Sequence, residues 1–522
     1  MRENLLGGNP RGEDEGKTPE GAGMSLNVLT PDEARLADKL ASENLGIPSL
    51  TLMENAGKRL FQEIVSRFEK KLGRMRVAVF CGKGNNGGDG FVLSRYLKSS
   101  VKKLTVYTFG KEEELSPDAA HNYRLIKESG VEIVDASAFL KQYAEFDIYV
   151  DAIFGTGFKG KLEKPYLEVV EKINRKPGFK IACDIPSGVN GETGEVAKSA
   201  FKAHMTCTFA FLKTGLLLYP GKHFAGEIKV LDIGIPTKKV KADKFLIQAE
   251  DIASLLPKYL GNEHKGICGK VLVIAGSKAY TGAGYFTAEA AVQSGAGLVY
   301  LAVPEEIRPI MQAKLNEVIV ISYDNLKEFT QILKGDYDIV AFGPGLGRTP
   351  HTVNMLKEVF KVPQPKVIDA DGIWALSKIE EPNLDGSIMT PHPGEASFLV
   401  PGVSPGVIDS GRIEYVKKIA EKHHSIAVLK GAPTVISNGR DVYINSTGNP
   451  GMAVGGMGDV LTGIIAGLLP RIKDPLQSAL AGVYLHGLAA DLLLEDNTFE
   501  TLTPTKVLIG LSKAFLALRR CK

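Results

Sequence analysis

The chain has 522 residues, too many for one ordinary hydrophobic core at about 100–200 residues per domain, so two large domains are expected. Apolar residues make up 44% and charged residues 24%, the balance of a soluble globular protein, and a net charge of +3 gives no reason to expect nucleic-acid binding. Five scattered cysteines without a C-x-x-C pair suggest neither a zinc site nor a disulfide framework and point to a reducing cytoplasm, while apolar stretches such as 460–469 fall short of the ~20 residues of a membrane span.

In chain order, residues 1–24 are rich in Gly, Glu and Pro without the apolar core of a signal peptide, and read as a disordered tail. From 31 to 68 apolar residues such as Leu52, Met53, Ala56, Leu60 and Ile64 recur at helical spacing, and a valine-rich strand over 76–81 follows. Further apolar runs at 104–109, 148–153, 180–184, 205–211 and 228–233 alternate with helical segments, which predicts a parallel α/β sheet in a domain over 25–240. Around 236–250 the sequence becomes lysine-rich and loses its strand pattern, and 241–250 read as a linker. A second α/β series occupies 251–522, with strands at 270–275, 299–303, 339–342, 366–369, 387–390 and 426–430, and its longest helical pattern follows Gly455. The halves share no residue-level repeat, so two unrelated domains are expected.

The segment Gly82-Lys83-Gly84-Asn85-Asn86-Gly87 lies between a strand and a helix over 91–98, and so meets the G-x-G-x-x-G pattern of a dinucleotide fold. That fold also requires an acid at the end of the next strand, and Tyr107-Thr108-Phe109-Gly110 has none. The full string GKGNNGGDGF is more polar than a phosphate turn needs. Asn86 and Asp89 put oxygens beside backbone amides at a helix N-terminus, able to hold an anion and a hard cation together. Equally, Asn85 and Asn86 could occupy left-handed turn geometry with Asp89 as a helix cap. Two further strand ends carry Asp151 and, in DIPSG, Asp184 and Ser187; in a parallel sheet these gather at the same carboxyl edge as Asn86.

MENAG (53–57), GNNGGDG (84–90), DAIFGTG (151–157) and DIPSG (184–188) resemble the NAD(P)H-hydrate epimerase family over 26–234. The resemblance implies a Rossmann-like α/β/α sandwich, a potassium ion held by Asn86, Asp151 and Ser187, and hydrated NADH or NADPH on two loops and one strand end. The first loop offers Asn85, Asn86, Gly87, Gly88 and Asp89; the second offers Gly155, Thr156, Gly157, Phe158, Lys159, Gly160 and Lys161; the strand end offers Asp184. Loss and re-addition of water at carbon 6 of the hydrated ring would interchange its R and S forms, which needs proton transfer. Asp184 is the acid/base candidate. Lys213 is a weaker second candidate, since a lone lysine reads first as a solvated surface charge.

In the second domain Gly455-Gly456-Met457-Gly458-Asp459 opens a helix, where backbone amides form an anion hole beside a carboxylate able to take a hydroxyl proton. With HKGICGKVLVIAGS (264–277), YTGAG (280–284), GPGLG (343–347), DADGIWAL (369–376), TPHPGE (390–395) and LKGAPT (429–434), it resembles ribokinase-like ADP- or ATP-dependent NAD(P)H-hydrate dehydratases. The resemblance places hydrated cofactor on Ala283, Gly345, His392, Pro393, Gly394, Glu395, Ala396, Ser397, Phe398 and Asp459. It places nucleotide on Lys430, Gly431, Ala432, Pro433 and Thr434, and on Asn449, Pro450, Gly451, Met452, Ala453, Val454, Gly455, Gly456, Met457 and Gly458. Met457 stands where small or hydroxylated residues are common, which removes a side-chain phosphate contact but no backbone one. His264 is read as an anchor at the domain entrance. The implied chemistry is deprotonation of the carbon-6 hydroxyl by Asp459, phosphorylation of its oxygen with magnesium present, and expulsion of phosphate. A kinase for a small alcohol is the alternative for this domain, and a binding or scaffolding module for the first. A homo-oligomer without nucleic-acid or membrane partners is expected.

Overall fold

The computed structural model describes residues 26–237, 240–259, 261, 265–380, 382 and 384–521. The tail over 1–24 and His264 lie outside them. The described chain forms two compact units that divide between Ala242 and Asp243.

The first unit contains β1 (Leu26–Leu29), α1 (Pro31–Leu45), α2 (Ser49–Phe68), β2 (Arg76–Cys81), α3 (Asn85–Leu97), β3 (Lys103–Thr108), β4 (Glu132–Asp135), β5 (Ile148–Ala152), β6 (Phe179–Cys183), β7 (Met205–Phe209), β8 (Leu212–Lys213) and β9 (Glu227–Leu231). Seven strands form one sheet in the order β4-β3-β2-β5-β6-β7-β9, and every pairing is parallel. Alternate residues of β2 enter different cores: Val77, Val79 and Cys81 pack on one face, Ala78 and Phe80 on the other. A sheet covered on both faces explains the continuous apolar runs. Its order reverses between β2 and β5, and ligands collect at the carboxyl ends flanking such a switch point. The run over 205–211 is broken, because Ala210 adopts φ +57° and separates β7 from β8. Cys81, Cys183 and Cys207 are fully buried, with Cys183 and Cys207 in register on adjacent strands, whereas Cys268 and Cys521 of the second unit are half-buried and exposed.

The second unit contains β10 (Lys244–Leu246), β11 (Lys270–Ile274), β12 (Leu298–Pro304), β13 (Ile319–Tyr323), β14 (Ile339–Phe342), β15 (Lys366–Ile368), β16 (Ile388–Met389), β17 (Ile426–Leu429), β18 (Val435–Ser437) and β19 (Val442–Ile444). Within the unit the order is β13-β12-β11-β14-β15-β16-β17-β18-β19-β10; β17, β18 and β19 pair antiparallel and the remaining pairs are parallel. Residues 241–250 are thus not a structureless linker. Lys244–Leu246 pairs with Val442–Ile444, so the partner that completes this strand lies far along the sequence. The helix Met457–Ile472 is buried along most of its length and crosses Thr281–Gln293 closely: a β-carbon on Gly463 would stand 2.2 Å from the Thr287 carbonyl oxygen, and one on Gly467 2.5 Å from that of Ala291. Among the described residues no helix is long and apolar enough to cross a membrane.

Candidate active sites

In the first unit the glycine loop is the start of α3 itself. Helix begins at Asn85, and neither Asn85 nor Asn86 has positive φ, so the left-handed-turn alternative fails and the helix starts earlier than 91. Asp89 lies inside the helix and is no cap. The glycines serve close packing: a β-carbon on Gly87 would stand 2.0 Å from the Gly82 carbonyl oxygen, and one on Gly88 2.5 Å from Met53 Sδ.

Above the switch point lies a cavity of about 740 Å³. Of the expected substrate residues it is lined by Asn85, Asn86, Asp89, Gly155, Thr156, Gly157, Phe158 and Asp184; Gly87, Gly88, Lys159, Gly160 and Lys161 are not in its wall. Lys159 is exposed and pairs with Asp32 at 3.7 Å. Helix α1 also lines it, through Ala34, Arg35, Asp38 and Lys39, with Arg35 Nη1 donating to the Thr156 carbonyl at 2.9 Å.

Asp184 sits at φ +66°, a conformation a non-glycine residue rarely takes, at the end of β6. Its Oδ1 accepts from Lys213 Nζ at 2.6 Å and Thr208 Oγ1 at 3.0 Å. Oδ2 faces Gly155, 3.2 Å from where a β-carbon would stand. Reading Lys213 as a solvated surface charge is therefore wrong. It is 2% exposed, held by Asp184, Thr208 Oγ1 and the Phe209 carbonyl, because the break at Ala210 turns β8 back under the strand ends. Burial, then Asp184 and Asp38, push Asp89 well above the usual carboxylate range. Asp38 is solvent-exposed, yet desolvation by the protein around it raises it to about 6, with Lys213 opposing and Asp184 reinforcing the rise. Asp38 was missed from sequence, where it is one acid on a charged helix.

Asp151 is fully buried. Its carboxylate accepts from the Ile153 amide (3.1 Å), the Ser187 amide (2.7 Å) and Ser187 Oγ (2.7 Å), and burial raises it to about 6 against these bonds. Ser187 Oγ accepts in turn from the Phe154 amide at 3.0 Å. Asn86 Nδ2 donates to the Phe154 carbonyl at 2.9 Å, leaving buried Asn86 Oδ1 without a hydrogen-bond partner. A buried unmet acceptor among oxygens fits a hard monovalent cation.

In the second unit the carboxyl ends of β14, β15, β16 and β17 deliver the site. Ala283 and Gly345 meet: Gly345 has φ +66°, and a β-carbon there would come within 2.7 Å of Ala283 Cβ. At the next strand end lies Asp369, 1% exposed, whose Oδ1 accepts from Lys430 Nζ at 2.7 Å and whose Oδ2 accepts from Thr462 Oγ1 at 2.7 Å. Lys430 Nζ also pairs with Glu395 Oε2 at 3.5 Å. Burial favours the neutral amine, yet Asp369, Glu395 and Asp459 outweigh it and hold Lys430 above its usual range. Asp459, in the first turn of Met457–Ile472, is raised to about 7, chiefly by burial and next by Asp369. A β-carbon on Gly458 would be 3.2 Å from Lys430 Nζ, so the amine and the first-turn amides border one space.

The other expected residues divide by their surroundings. His392 Nδ1 accepts from the Gly394 and Glu395 amides (3.0 and 3.2 Å), capping Pro393–Leu399, and Phe398 packs under the Arg348 guanidinium at 5.3 Å. Ala396 is fully buried. Ser397 Oγ donates to the Gly394 carbonyl at 2.8 Å, within the same short helix. The Lys430–Thr434 loop is pinned by buried Arg412, whose Nη1 donates to the Lys430 and Pro433 carbonyls at 3.1 and 3.3 Å; Gly431 leaves room for that guanidinium. Asn449 is fastened to Asp491 (2.9 Å), while Val454 and Gly455 are exposed. Met457 is buried in the apolar core, so its side chain faces away from any phosphate. Asp369, Thr462, Arg412 and Asp491 escaped sequence reasoning, although Asp369 opens a quoted motif.

Residues 49–215 match the family described as YjeF-related protein N-terminus, and residues 271–512 match NAD(P)H-hydrate dehydratase. The bifunctional NAD(P)H-hydrate repair enzyme Nnr of Moorella thermoacetica is 39% identical over 493 residues, which cover 89% of this chain and 92% of the relative. Its namesake from Coxiella burnetii is 36% identical, covering 89% and 94% respectively. The ADP/ATP-dependent NAD(P)H-hydrate dehydratase structure from Bacillus subtilis, co-crystallised with ATP and Mg2+, is 33% identical; the match covers 52% of this chain and 97% of that one, with a TM-score of 0.49. The chain belongs to the family of bifunctional NAD(P)H-hydrate repair enzymes.

Proposed function

We propose that the first unit interconverts the R and S forms of hydrated NADH and NADPH, and that the second dehydrates the S form while ADP or ATP is split to AMP or ADP and phosphate. For the first reaction the observation that carries most weight is Asp184. Its Oδ1 is held by a buried lysine while Oδ2 lies beside Gly155 of the cavity wall, the arrangement of a carboxylate kept oriented for proton transfer at its other oxygen. Lys213 positions Asp184 rather than touching substrate. Asn86 Oδ1 would hold potassium beside the buried Asp151–Ser187 pair, where the ion supplies fixed positive charge for oxygen atoms of the substrate.

For the second reaction the weight falls on Asp459, raised to about 7 in the first turn of a helix whose amides are open to an anion. Asp459 takes the proton of the carbon-6 hydroxyl, whose oxygen then accepts the terminal phosphoryl group. Lys430, beside Gly458, balances charge on that group. The ring nitrogen lone pair then expels phosphate from carbon 6 to form a carbon–nitrogen double bond, and loss of a proton from carbon 5 to water restores the carbon 5–carbon 6 double bond and returns the electron pair to nitrogen. Magnesium bound with the nucleotide would supply positive charge to the transferred group. An R and S mixture incubated with potassium, magnesium and ADP or ATP tests both halves. Full return of the reduced-nicotinamide absorbance is expected with at least one nucleotide, whereas a phosphorylated small alcohol as product would make the second unit a kinase.

A further inference from the structure

Epimerisation by water loss has a stereochemical demand. The hydroxyl of one epimer lies on one face of the ring and that of the other on the opposite face. Water that leaves from one side must return from the other, and a single fixed acid/base group serves one side.

The cavity is lined by acids from more than one element. Asp184 and Asp89 come from the carboxyl edge of the sheet, at the end of β6 and in the helix after β2, and both line it. Asp38 comes from a different element, α1, which also lines the cavity and which Arg35 ties to the Thr156 carbonyl at 2.9 Å. The neighbouring acids of α1 are engaged, Asp32 by Arg35 and Lys159 and Glu33 by the Thr30 amide. The Asp38 carboxyl has no hydrogen-bond or ion-pair partner among the described residues, and it opens into the cavity. Arg35, Lys39 and Glu43 from its own helix, Asp89 from α3, Asp118, Asp184 and Lys213 share that cavity.

We propose that Asp38 is the second proton-transfer residue of the epimerisation, acting on the ring face opposite Asp184. The proposal rests on the first unit being an epimerase. In one direction the Asp38 carboxyl gives its proton to the carbon-6 hydroxyl. The carbon–oxygen bond breaks with its electron pair on oxygen, and the ring nitrogen lone pair forms the carbon–nitrogen double bond. A water on the Asp184 side then adds its oxygen to carbon 6, gives a proton to Asp184, and returns the electron pair to nitrogen. One water leaves, one enters, and one proton passes from Asp38 to Asp184, to be re-equilibrated with solvent. The reverse direction exchanges the roles.

The test uses the full chain without nucleotide, so that the dehydratase is silent. A single epimer of hydrated NADH in oxygen-18 water is followed for inversion and for label at carbon 6. In Asp38→Asn inversion falls by about 100-fold or more, while the epimer whose hydroxyl faces Asp184 still exchanges its oxygen, so the ratio of exchange to inversion rises. Asp184→Asn gives the mirror result with the other epimer. Retained exchange also shows that the variant is folded. The proposal is overturned if Asp38→Asn inverts at the wild-type rate, if exchange and inversion fall in proportion, or if the ratio moves in Asp89→Asn instead. A wild-type chain that neither inverts nor exchanges above buffer sinks the epimerase reading itself.

Discussion

Asp184 and Asp459 are both acids at strand or helix ends, yet their settings differ. Asp184 is ion-paired with a buried lysine, whereas Asp459 has burial and Asp369 raising it against Lys430. Asp184→Asn is expected to lower epimerisation by about 100- to 10,000-fold and leave dehydration of the pure S form unchanged, measured with separated epimers. A base must be deprotonated to work. With Asp459 at about 7, kcat/KM for dehydration of the S form falls as pH drops below about 7, approaching tenfold per unit. In Lys430→Met the cation that lowers Asp459 is gone, so this limb moves to higher pH; a limb that stays in place would mean another group controls it. The acids at strand ends were legible because each stands in a dense motif beside glycine. Lys213 and Asp38 were not, because what makes each distinctive is its surroundings in space. A lysine after an apolar run gives no sign that a break at Ala210 will bury it against a carboxylate.

The long parallel strands were readable from runs apolar on both faces, and their order follows from handed crossovers that place the first strand centrally. Short strands with distant partners were not. Lys244–Leu246 has three residues and a lysine-rich setting, and pairs with Val442–Ile444. The start of α3 was misjudged because glycines in a helix look like a loop until the Gly82 backbone and Met53 are seen against them. The same logic governs the crossing of Met457–Ile472 with Thr281–Gln293. Gly467→Val puts methyl groups where a β-carbon already meets the Ala291 carbonyl at 2.5 Å, and a backbone atom cannot yield as a side-chain tip can. A loss of about 1–3 kcal/mol is expected, read as a lower thermal midpoint. Gly386→Ala, at a position with open space but φ +69°, should cost less.

For the molecule as a whole, the first cavity is lined by residues of the first unit, and the residues named for the second site all belong to the second unit. The two half-reactions therefore need no shared side chain. An equimolar mixture of Asp184→Asn and Asp459→Ala chains should convert both epimers completely, with recovery of absorbance proceeding past the point where the S form is exhausted. A mixture that stalls there would mean that the hydrate is not free to pass between chains.

The distribution of thiols gives the chain a built-in gauge of opening. Burial pushes the Cys81 and Cys183 thiols well up, helped by Asp89, and Cys207 likewise rises by burial. Thiolate is the nucleophile, so these positions resist alkylation. The accessible thiols, Cys268 and Cys521, belong to the second unit. A mass spectrum of the native chain after mild iodoacetamide should show label at those two positions, and each further label would count the opening of the epimerase sheet alone. Because Cys81 ends the strand that feeds Asn86, a ligand or cation that tightens that loop should slow the third label without touching the first two.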